Sequence, residues 1–169
     1  YKKLLDAVGP YVDMVESGDD YGSQSSLLMS PETFRDYFKP TRSKLNKLIK
    51  ENAPHAKIFL HSCGAIRPII PDLIDCGVDV LNPIQTTAAD MDAAALKKDF
   101  GKQLCFHGAI DTQHALKGGE QEVREEVILK MNALQKEGGY IFSSCNHIQG
   151  DIPPENVQAM FSYAKQYST

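Results

Sequence analysis

No apolar run in this sequence approaches the ~20 residues that a membrane-spanning helix needs; the apolar stretches are short and broken by Pro, Gly or charge. No membrane is therefore expected among the partners. A basic stripe is lacking as well. The 18 Lys+Arg, 22 Asp+Glu and five His are scattered at a net charge of -4, so nothing supplies the electrostatic footprint that nucleic-acid binding requires. Cysteines are few and irregularly spaced, four in 169 residues. That is not the dense framework of a small secreted domain, and it fits a reducing compartment, with the cytoplasm as the expectation. The opening residues lack the apolar core and small-residue cleavage site of a signal peptide, and a chain that begins with Tyr1 is expected to be cut from something longer.

What is present is ordinary globular material: 42% hydrophobic and 24% charged residues. No low-complexity segment or composition break marks a linker, so one domain over residues 1–169 is expected. Short strand-like runs alternate with helical patterns. Strands are predicted at Tyr11 to Glu16, Lys57 to His61, Val78 to Leu81, Gln103 to His107 and Tyr140 to Ser143.

A helix is predicted from Ser30-Pro31-Glu32, with Ser as N-cap, Pro as first helical residue and a kink at Pro40. A second places Ile66, Ile69, Ile70, Leu73 and Ile74 on one face and stops at Gly77. Others follow at Met91 to Phe100, about Glu120 to Glu137, and Glu155 to Tyr167. Five strands alternating with helices demand parallel pairing and an α/β architecture, either an open doubly wound sheet or part of a barrel.

The chemically notable residues fall at or just after the predicted strand ends, the face on which parallel α/β folds build their sites. They are Asp19 and Asp20, His61 and Cys63, Asn82 and Gln85, His107 and Asp111, Cys145 and His147. In His61-Ser62-Cys63-Gly64, positions i and i+2 of an extended segment point to one side, so imidazole and thiolate can converge on one ion, and Gly64 lets the chain turn away. With Cys145 they make a His, Cys, Cys set of the kind catalytic zinc uses; the same residues also fit a buried polar group and small core side chains. Cys76 and Cys105 are read as core. His107 and His147 fit proton transfer or substrate orientation, and equally a hydrogen-bonded structural histidine. Asp19-Asp20-Tyr21-Gly22 fits paired carboxylates or turn chemistry, Asp111 fits a cap, and Glu120 to Glu126 a solvated helix face.

Four segments carry a family resemblance: H-S-C-G at His61 to Gly64, G-V-D-V-L-N-P-I-Q at Gly77 to Gln85, H-G-A-I-D-T-Q at His107 to Gln113, and D-I-P-P-E-N-V-Q-A-M at Asp151 to Met160. Together they resemble the uroporphyrinogen decarboxylase superfamily, most of all its zinc-dependent, corrinoid-linked methyltransferase branch. The resemblance implies an α/β chain forming the C-terminal half of a (β/α)₈ TIM barrel, with the N-terminal half missing. It implies zinc held by His61, Cys63 and Cys145, a corrinoid on a partner carrier protein, and a small-molecule thiol or other methyl donor or acceptor. Catalytic roles are expected for His147, Asp20 and His107, and substrate contacts for Asn82, Gln85, Asp111 and Gln113. Cys145-Asn146-His147 departs from the Cys-Gly of the family's thiol methyltransferases, which leaves the acceptor open. The rivals are metal-free decarboxylation of a tetrapyrrole, and a non-catalytic half barrel that only binds a partner or self-associates through unpaired strands.

Overall fold

The structure is a computed structural model describing residues 1–168; Thr169, the last residue of the expected domain, lies outside the described residues. Its centre is one five-stranded parallel sheet in the order β1-β2-β3-β4-β5: Met14–Gly18, Lys57–His61, Val80–Asn82, Cys105–Ile110 and Tyr140–Ser144. Each new strand is added to the same edge. A doubly wound sheet reverses its strand order at a switch point, whereas a barrel does not, so this order decides for the barrel-type winding that the alternating pattern left open.

The helices are α1 (Lys2–Val8), α2 (Pro31–Thr33), α3 (Lys39–Asn52), α4 (Ile70–Asp75), α5 (Ala93–Phe100), α6 (Glu120–Leu134) and α7 (Pro154–Tyr167). Their starts follow side-chain chemistry. Ser30 Oγ accepts the Thr33 N–H ahead of α2, and Asp92 Oδ1 accepts the Ala95 N–H ahead of α5. Among the described residues, no helix is long and apolar enough to cross a membrane.

Several boundaries differ from the sequence-based expectation. Helix α1 was not expected at all, and it displaces the first strand from Tyr11–Glu16 to Met14–Gly18, because Gly9–Tyr11 coil into a 3₁₀ turn. No kink forms at Pro40. The irregularity lies upstream, where Phe34–Phe38 is π-helical, and Pro40 falls in the first turn of α3, where its missing N–H costs nothing. The run expected to be helical from Ile66 begins as a 3₁₀ turn, Arg67–Ile69. Strand β3 starts two residues later than expected, and α6 ends at Leu134 rather than Glu137. Strand β4 continues to Ile110, so His107 sits inside it, not at its end.

The outward face of the sheet carries Ile58, Leu60, Leu81 and Phe106, all essentially inaccessible, and packs with Phe34, Ile49, Ile69, Ile70, Leu73 and Leu96 of the helical layer. Burying each such side chain contributes about 1.5–3 kcal/mol. A second cluster, Ile110, Leu116, Val123, Val127, Met131, Ile152 and Met160, joins the end of β4 to α6 and α7. The two clusters meet around Tyr140.

Asp72, buried in α4, links two helices through Arg35 (3.0 Å) and Lys39 (2.8 Å). Burial alone would push this carboxyl up, but the hydrogen bonds and charges of Lys39 and Arg35 together outweigh it and hold Asp72 below its ordinary range. A depressed carboxyl contributes stability that is complete above its unfolded value of about 4 and is lost as pH falls through the lower folded value. Between pH 5 and pH 2.5 the melting temperature should therefore fall less in Asp72→Asn than in the wild type. Equal slopes in the two proteins would remove Asp72 from the acid response.

Candidate functional site

Strand register places the site. Gly18 pairs with His61, and His61 with Asn82; Leu81 pairs with Phe106, so His107 follows beside Asn82. Because side chains alternate along a strand, Glu16, Phe59, His61, Asn82, His107 and Ser143 share the face opposite the helical layer. They line a cavity of about 490 Å³ with Ser144, Cys145, Asn146, His147 and Ile148.

Across its floor runs a hydrogen-bonded row. Asn82 Oδ1 lies 2.7 Å from His61 Nδ1, and Asn82 Nδ2 lies 2.7 Å from His107 Nδ1. An amide oxygen only accepts and an amide nitrogen only donates, so this orientation of the Asn82 amide assigns both tautomers. His61 carries its proton on Nδ1 and offers the Nε2 lone pair; His107 accepts at Nδ1 and carries its proton on Nε2. Burial lowers the His107 pKa, only partly opposed by the charge of Glu16, which keeps this ring neutral; its edge also meets Phe59 at 5.2 Å between ring centres.

His61 Nε2 stands 3.5 Å from Cys63 Sγ, and the donor atoms of Asp20, His61 and Cys63 all lie within 4.8 Å of one another. Cys145 is outside that trio. Its thiol is buried against Thr112 Oγ1 at 3.5 Å, and it is near enough to Cys63 to act on its charge. Burial pushes the Cys63 thiol up to about 11, and the Asp20 carboxylate and Cys145 add to the shift. Without a cation, Cys63 is therefore a protonated thiol at neutral pH.

The turn that carries Cys63 is locked from two sides. Asp20 Oδ1 accepts the Cys63 N–H at 2.8 Å, and Gln85 Oε1 accepts the Gly64 N–H at 2.9 Å while its amide donates to Gln24. Gly64 has φ +87°, and a Cβ there would fall 2.5 Å from the carbonyl carbon of Gly22 and from the Ser23 oxygen. Only glycine lets the loop after β2 press against the loop after β1.

The structure thus brings His61, Cys63, Asp20, Asn82, His107, Cys145 and His147 to one end of the sheet. His147 lines the cavity but is exposed, and its own N–H donates to Asn146 Oδ1. Two of the expected substrate contacts are engaged elsewhere and a third is exposed. Gln85 supports the Gly64 turn, Gln113 is exposed, and the Asp111 carboxylate accepts the Gln113 N–H at 2.7 Å and pairs with His114, which is cap chemistry. Glu16, Phe59, Thr112, Ser143 and Asn146 were not singled out. Glu16 is legible by alternation once β1 is moved to Met14–Gly18, and Asn146, whose amide approaches Cys63 Sγ at 3.9 Å, by its place beside Cys145.

Comparison with known proteins gives the chain its relatives. The family model described as uroporphyrinogen decarboxylase (URO-D) matches residues 5–167. A uroporphyrinogen decarboxylase of Microcystis aeruginosa is 26% identical over 98% of this chain and 47% of its own length. The methylcobamide:CoM methyltransferase MtaA of Methanosarcina barkeri is 28% identical over 91% of this chain and 44% of its own. Among solved structures, a methyltransferase from Methanosarcina mazei superposes with a TM-score of 0.74 at 19% identity, over 99% of this chain and 48% of that one. The likeness shows the fold: five parallel strands alternating with helices that cover about half of a TIM-barrel chain. The chain spans about half the length of the curated relatives it matches.

Proposed function

Since the chain belongs to the uroporphyrinogen decarboxylase family, whose members include both decarboxylases and a methyltransferase, we propose that it works in zinc-dependent methyl transfer between a corrinoid on a carrier protein and a thiol or other methyl donor or acceptor. The observation that carries this reading is the His61–Asn82–His107 row, which directs the Nε2 lone pair of His61 at a cysteine sulfur 3.5 Å away. A structural histidine has no need of a neighbour that fixes its tautomer and leaves its other nitrogen beside a thiol; for a metal-binding histidine that arrangement is the rule.

The donor chemistry fits zinc: one imidazole with a fixed lone pair, Cys63 at its side and Cys145 across the cavity form a mixed nitrogen and sulfur set. His61, Cys63 and Cys145 would hold the ion. When bound, zinc stabilises thiolates and lowers the pKa of an incoming thiol towards neutrality. The remaining work falls to the protein. Asn82 orients His61; His107 presents a neutral N–H donor to the cavity; Asn146 turns an amide towards Cys63. Positioning of the two reactants is the main contribution such a cavity makes to a displacement reaction.

The cavity lining also bears on the alternative, decarboxylation of a tetrapyrrole, which the likeness to the Microcystis aeruginosa uroporphyrinogen decarboxylase favours. A substrate rich in carboxylates would meet the carboxylate of Glu16 there. Methyl transfer has no such conflict. Protein purified without a metal-binding tag is expected to contain about one zinc per chain by plasma mass spectrometry, and Cys63→Ser and Cys145→Ser should both lose it. Zinc that fails to bind even on reconstitution would overturn the proposal in favour of the decarboxylase reading.

A further inference from the structure

The two carboxylates after β1 have different surroundings. Asp19 is paired with Arg42, a guanidinium buried between α3 and β1 that also holds Tyr21 Oη at 3.0 Å and Ser17 Oγ at 2.6 Å. Asp20 has no Lys or Arg partner among the described residues. Its carboxylate faces His61 Nε2 at 3.9 Å, accepts the Cys63 N–H, and lies within 4.8 Å of Cys63 Sγ. An anionic side chain set against a thiol and an imidazole, with no cation near, is repelled by the thiolate that zinc binding would require. A divalent ion between the carboxylate and the thiolate turns that repulsion into attraction.

The position of Asp20 is also rigid. The Asp19 N–H donates to the His61 carbonyl, the Tyr21 N–H donates to the buried Ser62 Oγ at 3.1 Å, and Gly22 packs against the Gly64 turn. Residues on both sides of Asp20 are thus tied to the end of β2, and the loop cannot carry the carboxylate away from His61 without breaking them.

We propose that Asp20 is a further ligand of the same metal, an oxygen donor standing beside His61 Nε2 and Cys63 Sγ. This rests on the zinc reading above and extends its His, Cys, Cys set to four protein donors. Catalytic zinc sometimes expands to five partners, and in that form a fourth side chain leaves room for a reactant. The competing account is that Asp20 only accepts the Cys63 N–H and shapes the turn.

Asp20→Asn separates the two, because the amide oxygen still accepts that hydrogen bond while the charge and the stronger oxygen donor are gone. In the full chain, zinc affinity by competition with a chelating indicator is expected to fall by at least the roughly ten- to hundredfold that loss of an outer-shell partner costs. With cobalt(II) as the probe, thiolate charge-transfer absorption should persist in Asp20→Asn while the visible ligand-field bands shift. Asp20→Glu, which keeps the carboxylate, should recover most of the affinity, and far-UV circular dichroism of metal-free protein checks that each variant is folded. Wild-type affinity and unchanged ligand-field bands in folded Asp20→Asn would overturn the inference and leave the zinc reading standing. If Asp20→Asn proves unfolded, Asp20→Glu decides, and an affinity in Asp20→Glu no better than in Asp20→Ala overturns the inference too. Absence of zinc from the wild type would overturn both together.

Discussion

Replacing Gly64 by alanine is expected to lower the stability of the chain by roughly 3 kcal/mol or more, read as a lower urea midpoint at an unchanged slope. Two costs add. A left-handed backbone at φ +87° costs a residue with a Cβ about 1–2 kcal/mol, and the new carbon would sit 2.5 Å from backbone atoms of Gly22 and Ser23, which cannot rotate away as a side chain can. Gly77 is the internal control, since its φ is +83° but a Cβ there meets nothing within 4 Å. Gly77→Ala should therefore cost only the conformational part, about 1–2 kcal/mol. Equal losses in the two variants would show that the contact between the loops after β1 and β2 has no energetic weight. The Gly64 loss should also reach the site, because the displaced turn carries Cys63 and its hydrogen bond to Asp20.

Asn82→Ala is expected to weaken zinc binding by about ten- to a hundredfold without touching a ligand. The mutation removes the acceptor that holds the His61 proton on Nδ1 and the donor that holds the His107 proton on Nε2. Both rings then choose their tautomers freely, and His61 gains rotational freedom that binding must take back. Nitrogen-15 chemical shifts of the two imidazoles report the change in metal-free protein, so the orienting role can be read apart from the metal. Asn82→Asp should keep the His61 tautomer, since a carboxylate also accepts from Nδ1–H, and should retain affinity while it switches His107 to the Nδ1–H form. Unchanged tautomers in Asn82→Ala would remove Asn82 from the account of the site.

Much of this architecture is legible in the sequence, and the exceptions have physical causes. Alternation of strand and helix was readable because Ile58, Leu60, Leu81 and Phe106 keep the outward face apolar, while Ser30 and the residues near Gly77 mark helix ends in their ordinary ways. The first strand was misplaced because Tyr11 and Val12 are as strand-like in composition as Met14 and Val15; the 3₁₀ turn at Gly9–Tyr11 takes Tyr11 out of the strand, and the Gly9-Pro10 pair is its local signal. The winding of the sheet was open because periodicity records which faces are buried and not which strands are neighbours. At the site, the i, i+2 spacing of His61 and Cys63 was local and could be read directly. The contact of Asn82 with two histidines depends on register across three strands, which spacing does not encode. Asp20 looked the same as Asp19 in the sequence; Arg42, arriving from α3, is what separates them.

The division of the interior into two apolar clusters has a bearing on motion. His61, Cys63 and Asp20 ride on the part of the chain built around the first cluster, whereas Cys145 follows the strand that anchors α7 and the second. Regions of a fold open locally at different free energies, often in units that follow supersecondary motifs. A ligand that grips Cys63 and Cys145 together ties one cluster to the other, and because it binds only the folded arrangement it stabilises both at once.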